Sequence, residues 1–231
     1  MILGTGLLAR AFASRFAQRR DTLVFASGVS NSLATSQAQF DREFDMLTTA
    51  RERWPGRLVY FGSCSVTDDE RQYTPYARHK LAMEKLVVSG ASGLVVRLPQ
   101  VVGPTGNPNT LTNFIRDRIE RGEEFSVWAH AERNLIDVDD AAAITEAIID
   151  RMHPAESGVV SIASECPIPM QELVTIFEKV LGKTAVYRLE AKGGRLHIDA
   201  CFAQAIAREL GIDLGGGYTE RLLGKYYGPH K

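Results

Sequence analysis

A chain of 231 residues holds one sizeable domain, or one domain with a small appended lobe, and excludes two full domains. Its 45% hydrophobic and 24% charged content is that of a soluble globular chain, and 27 Lys and Arg against 28 Asp and Glu nearly cancel, leaving a formal net charge of −1 that does not argue for nucleic acid or an anionic membrane as partner. The longest apolar runs fall short of the roughly 18 residues a membrane helix needs, the start MILGTGLLARAF does not read as a signal peptide, and three widely spaced cysteines (Cys64, Cys166, Cys201) predict a reducing, cytoplasmic setting and no metal site.

In chain order, Met1 to Leu3 is a short apolar start. Leu7 to Arg20 predicts a helix with Leu8, Phe12 and Phe16 on one face. Thr22 to Ala26 reads as a buried strand, Phe44 to Trp54 as a helix, Arg57 to Phe61 as a strand, Pro75 to Ser89 as a helix and Leu94 to Leu98 as a strand. The Gly-, Pro- and Asn-rich stretch from Val101 to Thr110 reads as a loop. Helix from Asn113 to Arg121, strand FSVW, strand Leu135 to Val138 and helices Asp140 to Met152, Met170 to Leu181 and Phe202 to Leu210 complete the pattern. Strand–helix alternation at this spacing predicts a Rossmann-like α/β fold, a parallel sheet with helices on both faces. The expected division is residues 1–104 with about 135–163 as the sheet domain, and 105–134 with 164–231 as a small C-terminal lobe. Ligands of such sheets bind beyond the carboxyl ends of the strands.

Three segments could carry chemistry. Gly4-Thr5-Gly6-Leu7-Leu8-Ala9 is a GxGxxA between strand and helix, where a tight turn and close approach to a pyrophosphate exclude a Cβ and the helix-start amides bind the anion. The strand that follows ends in Ala26-Ser27-Gly28, without the carboxylate that usually binds an adenine ribose. Tyr76 and Lys80 form a YxxxK in a helix that Thr74 would cap and Pro75 would open. The pair would share a face, and the ammonium with the positive helix end would lower the phenol's pKa toward acid/base use. Ser63 and Ser65 lie at the end of a strand, where a hydroxyl can hold a substrate oxygen.

These segments, in the order GTGLLA, VFASGVSNS, RLVYFGSCSV, TPYARHKLAMEKLV, VVRLPQVVGP and RNLIDVDDAAAITEAI, resemble the extended short-chain dehydrogenase/reductase superfamily in its NAD-dependent epimerase/dehydratase branch, which modifies nucleotide sugars. The resemblance implies that Tyr76 is the catalytic acid/base, that Lys80 holds the nicotinamide ribose, and that Ser63 steadies the reacting oxygen, with Ser65 the lesser candidate. It implies NAD or NADP as cofactor, bound by Gly4, Gly6, Leu7, Leu8, Ala26, Ser27, Tyr76, Lys80, Pro99, Val101 and Val102. Gln100, Asn113, Arg133 and, more weakly, Arg195 are the implied nucleotide-sugar contacts. A homodimer is implied through the helices at Asp41 to Trp54 and Pro75 to Ser89, with Phe44, Met46, Leu47, Leu81 and Met83 as its apolar surface. Cys64 reads as a packed residue. The family's strand–helix–strand unit between the first helix and the VFASGVS strand is replaced by Arg19 to Asp21, so the Rossmann portion is shortened and its adenine side is expected to bind weakly. Two other readings stay open: a reductase of a small carbonyl compound, and a cofactor-poor relative that binds a nucleotide sugar without turnover.

Overall fold

A computed structural model describes residues 1–68 and 72–229. The first half runs β1 (Ile2–Leu3), α1 (Leu7–Phe16), β2 (Thr22–Phe25), α2 (Gln37–Arg53), β3 (Arg57–Ser63), α3 (Pro75–Val88) and β4 (Gly93–Leu98). The second runs β5 (Gln100–Val102), α4 (Leu111–Arg121), β6 (Phe125–Trp128), β7 (Glu132–Arg133), β8 (Leu135–Asp137), α5 (Val138–Arg151), β9 (Gly158–Ser161), β10 (Ile168–Pro169), α6 (Met170–Leu181), β11 (Tyr187–Glu190), α7 (Cys201–Glu209) and α8 (Tyr218–Tyr227). Local chemistry sets several boundaries. The Thr74 hydroxyl accepts the Ala77 amide at 3.2 Å and Pro75 fills the first helical position of α3. The Asp137 carboxylate accepts the Asp139 amide at the start of α5.

Five strands form one parallel sheet in the order β1-β2-β3-β4-β9. Side chains alternate across it. Val24, Val59, Phe61, Leu94 and Val96 face α1 and α5, where Phe12 packs edge-on against Phe61 at 4.8 Å between ring centres. Leu23, Phe25, Leu58, Tyr60 and Val95 face α2 and α3. Each large apolar side chain so buried contributes about 1.5–3 kcal/mol. The first cluster continues through Ile115, Phe177 and Leu223, so the C-terminal helices share one core with the sheet. Three two-stranded ladders, β5 with β8, β6 with β11 and β7 with β10, attach the second half.

The α/β class, the parallel sheet and most elements match the sequence reading. Several boundaries are corrected. Helix α2 starts at Gln37, seven residues before the expected Phe44, because Ser36 ends the extended segment and the stripe Phe40, Glu43, Leu47, Ala50 is buried along its length. The expected loop after Pro99 opens with strand β5, since Gln100–Val102 finds a ladder on β8. Strand β9 and helix α8 have no counterpart in the sequence reading; α8 holds the core with Leu222 and Leu223. Leu47 and Met83, expected on an apolar outer surface, are buried against the sheet; Phe44 is exposed, and Met46 and Leu81 are half-buried. No helix among the described residues is long and apolar enough to cross a membrane.

Candidate active site

The carboxyl ends of β2 and β3 and the start of α1 frame a crevice of about 490 Å³. Ser63, Tyr76 and Lys80 stand on one wall, and Gly6, Leu7 and Leu8 on the other. Ala26, Pro99, Gln100 and Val101 line it as well. Gly4, Ser27, Ser65 and Val102 are just outside its lining. Ser65 is tied to Ser63, their hydroxyl oxygens 2.8 Å apart. Val102 is buried in the core. Ser27 gives its carbonyl to Arg42 at 3.1 Å.

The two glycines of the turn do different work. Gly4 has φ +126°, and a Cβ there would stand 2.3 Å from the Ala26 carbonyl oxygen. Its lack of a side chain lets β1 pass β2, where the Ala26 amide donates to the Leu3 carbonyl at 2.7 Å. Gly6 caps α1 with no side-chain hydrogen bond, and nothing stands within 4 Å of where its Cβ would be. No acidic residue occupies the first turn of α1. Open backbone and unneutralised helix-start amides fit a phosphate group. Arg10, one turn on, donates to the carbonyls of Thr5 and Pro104, each at 3.1 Å, at the rim of the crevice.

Helix α3 presents Tyr76, Lys80 and Glu84, spaced by four residues, to the sheet, all buried. The expectation that Lys80 depresses the Tyr76 phenol is corrected. Burial pushes that phenol up to about 12; a hydrogen bond with Ser63 lowers it, and the charges of Glu43 and Glu84 raise it. Lys80 is turned to other partners. Its Nζ donates to Glu43 Oε1 at 3.1 Å, to the Tyr60 hydroxyl at 2.9 Å and to the Phe61 carbonyl at 3.4 Å, which accounts for its three donors. Burial raises the Tyr60 phenol and lowers the Lys80 ammonium, with Glu43 opposing the second shift. Burial also works against the Glu43 carboxylate, yet Lys80, the Val29 amide, Tyr60 and His79 together hold its pKa below the usual range. Glu43 therefore stands as an anion 3.1 Å from the Lys80 Nζ. Farther along, Arg97 clasps Glu84 with two nitrogens, at 3.1 and 2.7 Å.

The implied nucleotide-sugar contacts are not brought to this crevice, Gln100 excepted. Asn113 is buried, its amide donating to the Thr105 and Asn107 carbonyls at 2.8 and 2.9 Å and accepting from Tyr227, so it ties down the loop before α4. Arg195 has a side chain 83% exposed and pairs with Glu132 at 3.0 Å. Arg133 lies on β7 with its guanidinium 6.0 Å from the Trp128 ring centre. Cys64 is buried and its thiol pushed up to about 12 by desolvation, which makes it a packing residue. No group of three or more metal-ligating side chains occurs among the described residues.

The sequence reading missed Glu43, Tyr60 and Arg10. Glu43 had a legible signal, a carboxylate inside the apolar stripe of α2, hidden because the predicted helix begins one residue too late to contain it. Arg10 adjoins the glycine turn and was equally in view.

A family model described as the NAD dependent epimerase/dehydratase family matches residues 17–163, a span that takes in Ser63, Tyr76 and Lys80. Among solved structures, the chain is similar to the dTDP-glucose 4,6-dehydratase DesIV of Streptomyces venezuelae with NAD and TYD bound, at 17% identity and TM-score 0.71 over 90% of this chain and 72% of that one. It is also similar to the UDP-glucose 4-epimerase of Thermus thermophilus in complex with NAD, at 16% identity and TM-score 0.69 over 94% and 80% of the two chains. RMD of Pseudomonas aeruginosa complexed with NADPH gives 14% identity and TM-score 0.67 over 97% of each chain. At such identities the likeness is one of fold. No curated protein matches the chain.

Proposed function

Because the chain belongs to the NAD-dependent epimerase/dehydratase family, we propose that it is an NAD(P)-dependent oxidoreductase or epimerase acting on a nucleotide-activated sugar. The observation that carries this reading is the convergence of Ser63, Tyr76 and Lys80 on the crevice that the Gly6 turn closes from the other side. Similarly folded structures that hold NAD or NADPH, two of them named for nucleotide-sugar chemistry, support it.

In this reading the first amides of α1 and the open Gly6 backbone hold the cofactor's phosphates. The Ala26 to Gly28 turn and the Pro99–Val101 stretch flank its nicotinamide end. Lys80 holds the ribose, exchanging its longest bond, to the Phe61 carbonyl at 3.4 Å, for a ribose hydroxyl. A bound nicotinamide would supply or accept the hydride. Tyr76, a neutral phenol at neutral pH because its pKa is about 12, donates a proton to the sugar oxygen as a carbonyl is reduced. Ser63 holds that oxygen and, through its bond to Tyr76, the donor as well.

A second reading, a reductase of a small carbonyl compound, is favoured by one observation: neither Asn113, whose amide is spent on the Thr105 and Asn107 carbonyls, nor Arg195, paired with Glu132, lines the crevice. Titrating NADH and NADPH by nicotinamide fluorescence, then scanning nucleotide sugars by thermal shift with cofactor present, tests both. Saturable cofactor binding with a nucleotide-sugar shift is the expected result. Cofactor binding without any such shift supports the second reading. Absence of NADH and NADPH binding at millimolar concentration overturns both and leaves a relative without turnover.

A further inference from the structure

Glu43 is the most completely bonded carboxylate near the crevice, and the proposed chemistry does not use it. A carboxylate in the buried stripe of an amphipathic helix is costly unless its charge is paired and its oxygens are bonded. Here Oε2 takes the Val29 amide at 2.6 Å and lies 3.0 Å from His79 Nε2, while Oε1 takes the Tyr60 hydroxyl at 2.7 Å and Lys80 Nζ at 3.1 Å. Those partners come from the turn after β2, from β3 and from α3, so one carboxylate joins three walls of the crevice. Gly28 makes room for it: a Cβ there would stand 2.7 Å from Glu43 Oε1 and 2.9 Å from Lys80 Nζ. A lysine carries a point charge on a flexible four-carbon stem, and burial alone would favour losing its proton. An anion at hydrogen-bond distance answers both problems.

We infer that Glu43 is a positioning residue, fixing the place and the charge of the Lys80 ammonium so that it meets the cofactor ribose. The inference rests on the oxidoreductase reading above. Glu43 acts through Lys80 and touches neither substrate nor cofactor. With the carboxylate removed, the ammonium loses its anchor and its counter-charge, and the turn at Gly28 loses the bond that holds Val29 at the crevice lining.

A double-mutant cycle read as NADH or NADPH affinity tests this, using Glu43→Gln, Lys80→Met and their combination, with thermal unfolding as the check on folding. Glu43→Gln is expected to weaken cofactor binding about tenfold, the fold-change of one charge-assisted hydrogen bond, and to change it less than about twofold when Lys80 is already Met. Equal weakening in both backgrounds makes Glu43 a structural residue and overturns the inference, as does wild-type affinity in Glu43→Gln. Gly28→Ala is the second arm, for it keeps both charges and displaces them with one methyl group. It should weaken binding more with Lys80 present than in the Lys80→Met protein, where only the direct effect of the methyl group on the turn beside the cofactor remains; equal effects in the two backgrounds again overturn the inference. If the unsubstituted protein binds neither cofactor, the oxidoreductase reading falls and this inference with it. If it binds and the Glu43 variants bind equally well, only the inference falls.

Discussion

Substituting Ala at Gly4 and at Gly6 should separate what holds the fold from what holds the phosphates. At Gly4 the added Cβ meets the Ala26 carbonyl oxygen at 2.3 Å and its carbon at 2.6 Å, on a backbone with φ +126°. A left-handed, clashing alanine costs about 2–4 kcal/mol, since strained φ values alone cost on the order of 1–3 kcal/mol. Relief would come by parting β1 from β2. In a chain of this size that is a fall in Tm of roughly 5–15 °C. At Gly6, φ is −74° and the space around the new methyl is empty, so the fold should lose no more than about 1 kcal/mol, the preference for Gly over Ala at a helix N-cap, partly offset by the less flexible unfolded chain. The same methyl would stand where a phosphate approaches the helix-start amides, and cofactor affinity should fall about tenfold or more, one charge-assisted contact or its equivalent. Thermal unfolding and nicotinamide-fluorescence titration read the two effects separately. Gly6→Ala binding cofactor as tightly as the unsubstituted protein would refute the phosphate assignment. Unchanged stability in Gly4→Ala would refute the steric one.

Tyr76→Phe should lower kcat by about 10²- to 10⁴-fold, the size of a general acid/base contribution, while cofactor affinity stays within about twofold; steady-state assays and titrations check it, and a normal kcat removes Tyr76 from the chemistry. Alkaline stability gives a second check on the same residue. The folded phenol at about 12 lies above the unfolded value of about 10, so its contribution, on the order of 3 kcal/mol, is whole below pH ~10 and lost as pH rises toward ~12. The urea midpoint of Tyr76→Phe should therefore fall less steeply than that of the parent across that window, and parallel curves would contradict the raised pKa. Asn113→Ala strips the two bonds that hold the 105–107 loop and should cost about 1–3 kcal/mol in urea unfolding with little change in cofactor affinity.

Most of the sheet was legible because strands buried on both faces read as short apolar runs, and TLVF, RLVYF and LVVRL each became a strand of the sheet. Tyr76 and Lys80 were legible because Thr74 and Pro75 announce the helix that spaces them. The small ladders were not, because two- and three-residue strands such as Gln100–Val102 are fixed by a distant partner and carry no period of their own. The state of Tyr76 was not legible either. Spacing placed an ammonium one turn away, but only the packing reveals that α2 delivers a carboxylate to that ammonium and that burial dominates the phenol. Asn113 and Arg195 matched a pattern of types, while their bonds, to a loop backbone and to Glu132, depend on how α4 and β7 meet their neighbours.

The hand of the crossovers explains how a shortened sheet keeps its crevice. From β1 to β2 to β3 to β4 the parallel strands advance in one direction across the sheet. Helix α1 lies on one face with α5, while α2 and α3 lie on the other. Parallel units that step the same way with helices on opposite faces have opposite hands, so β1–α1–β2 differs from the two units that follow it. Right-handed units predominate because strand twist and helix hand fit together that way. A strand–helix–strand unit inserted after α1 would carry the chain first to the other side of β1 and give α1 the common hand. Among the described residues β1 pairs with β2 alone, and α1 keeps its place through Phe12 on Phe61 and through α5. The glycine turn thus still faces Ser63, Tyr76 and Lys80, while the edge of β1 borders no further described strand. In the proposed reading, cofactor contact is accordingly concentrated on the helix-start amides and the Tyr76–Lys80 wall, which is why single substitutions at Gly6 and Glu43 are expected to cost so much affinity here.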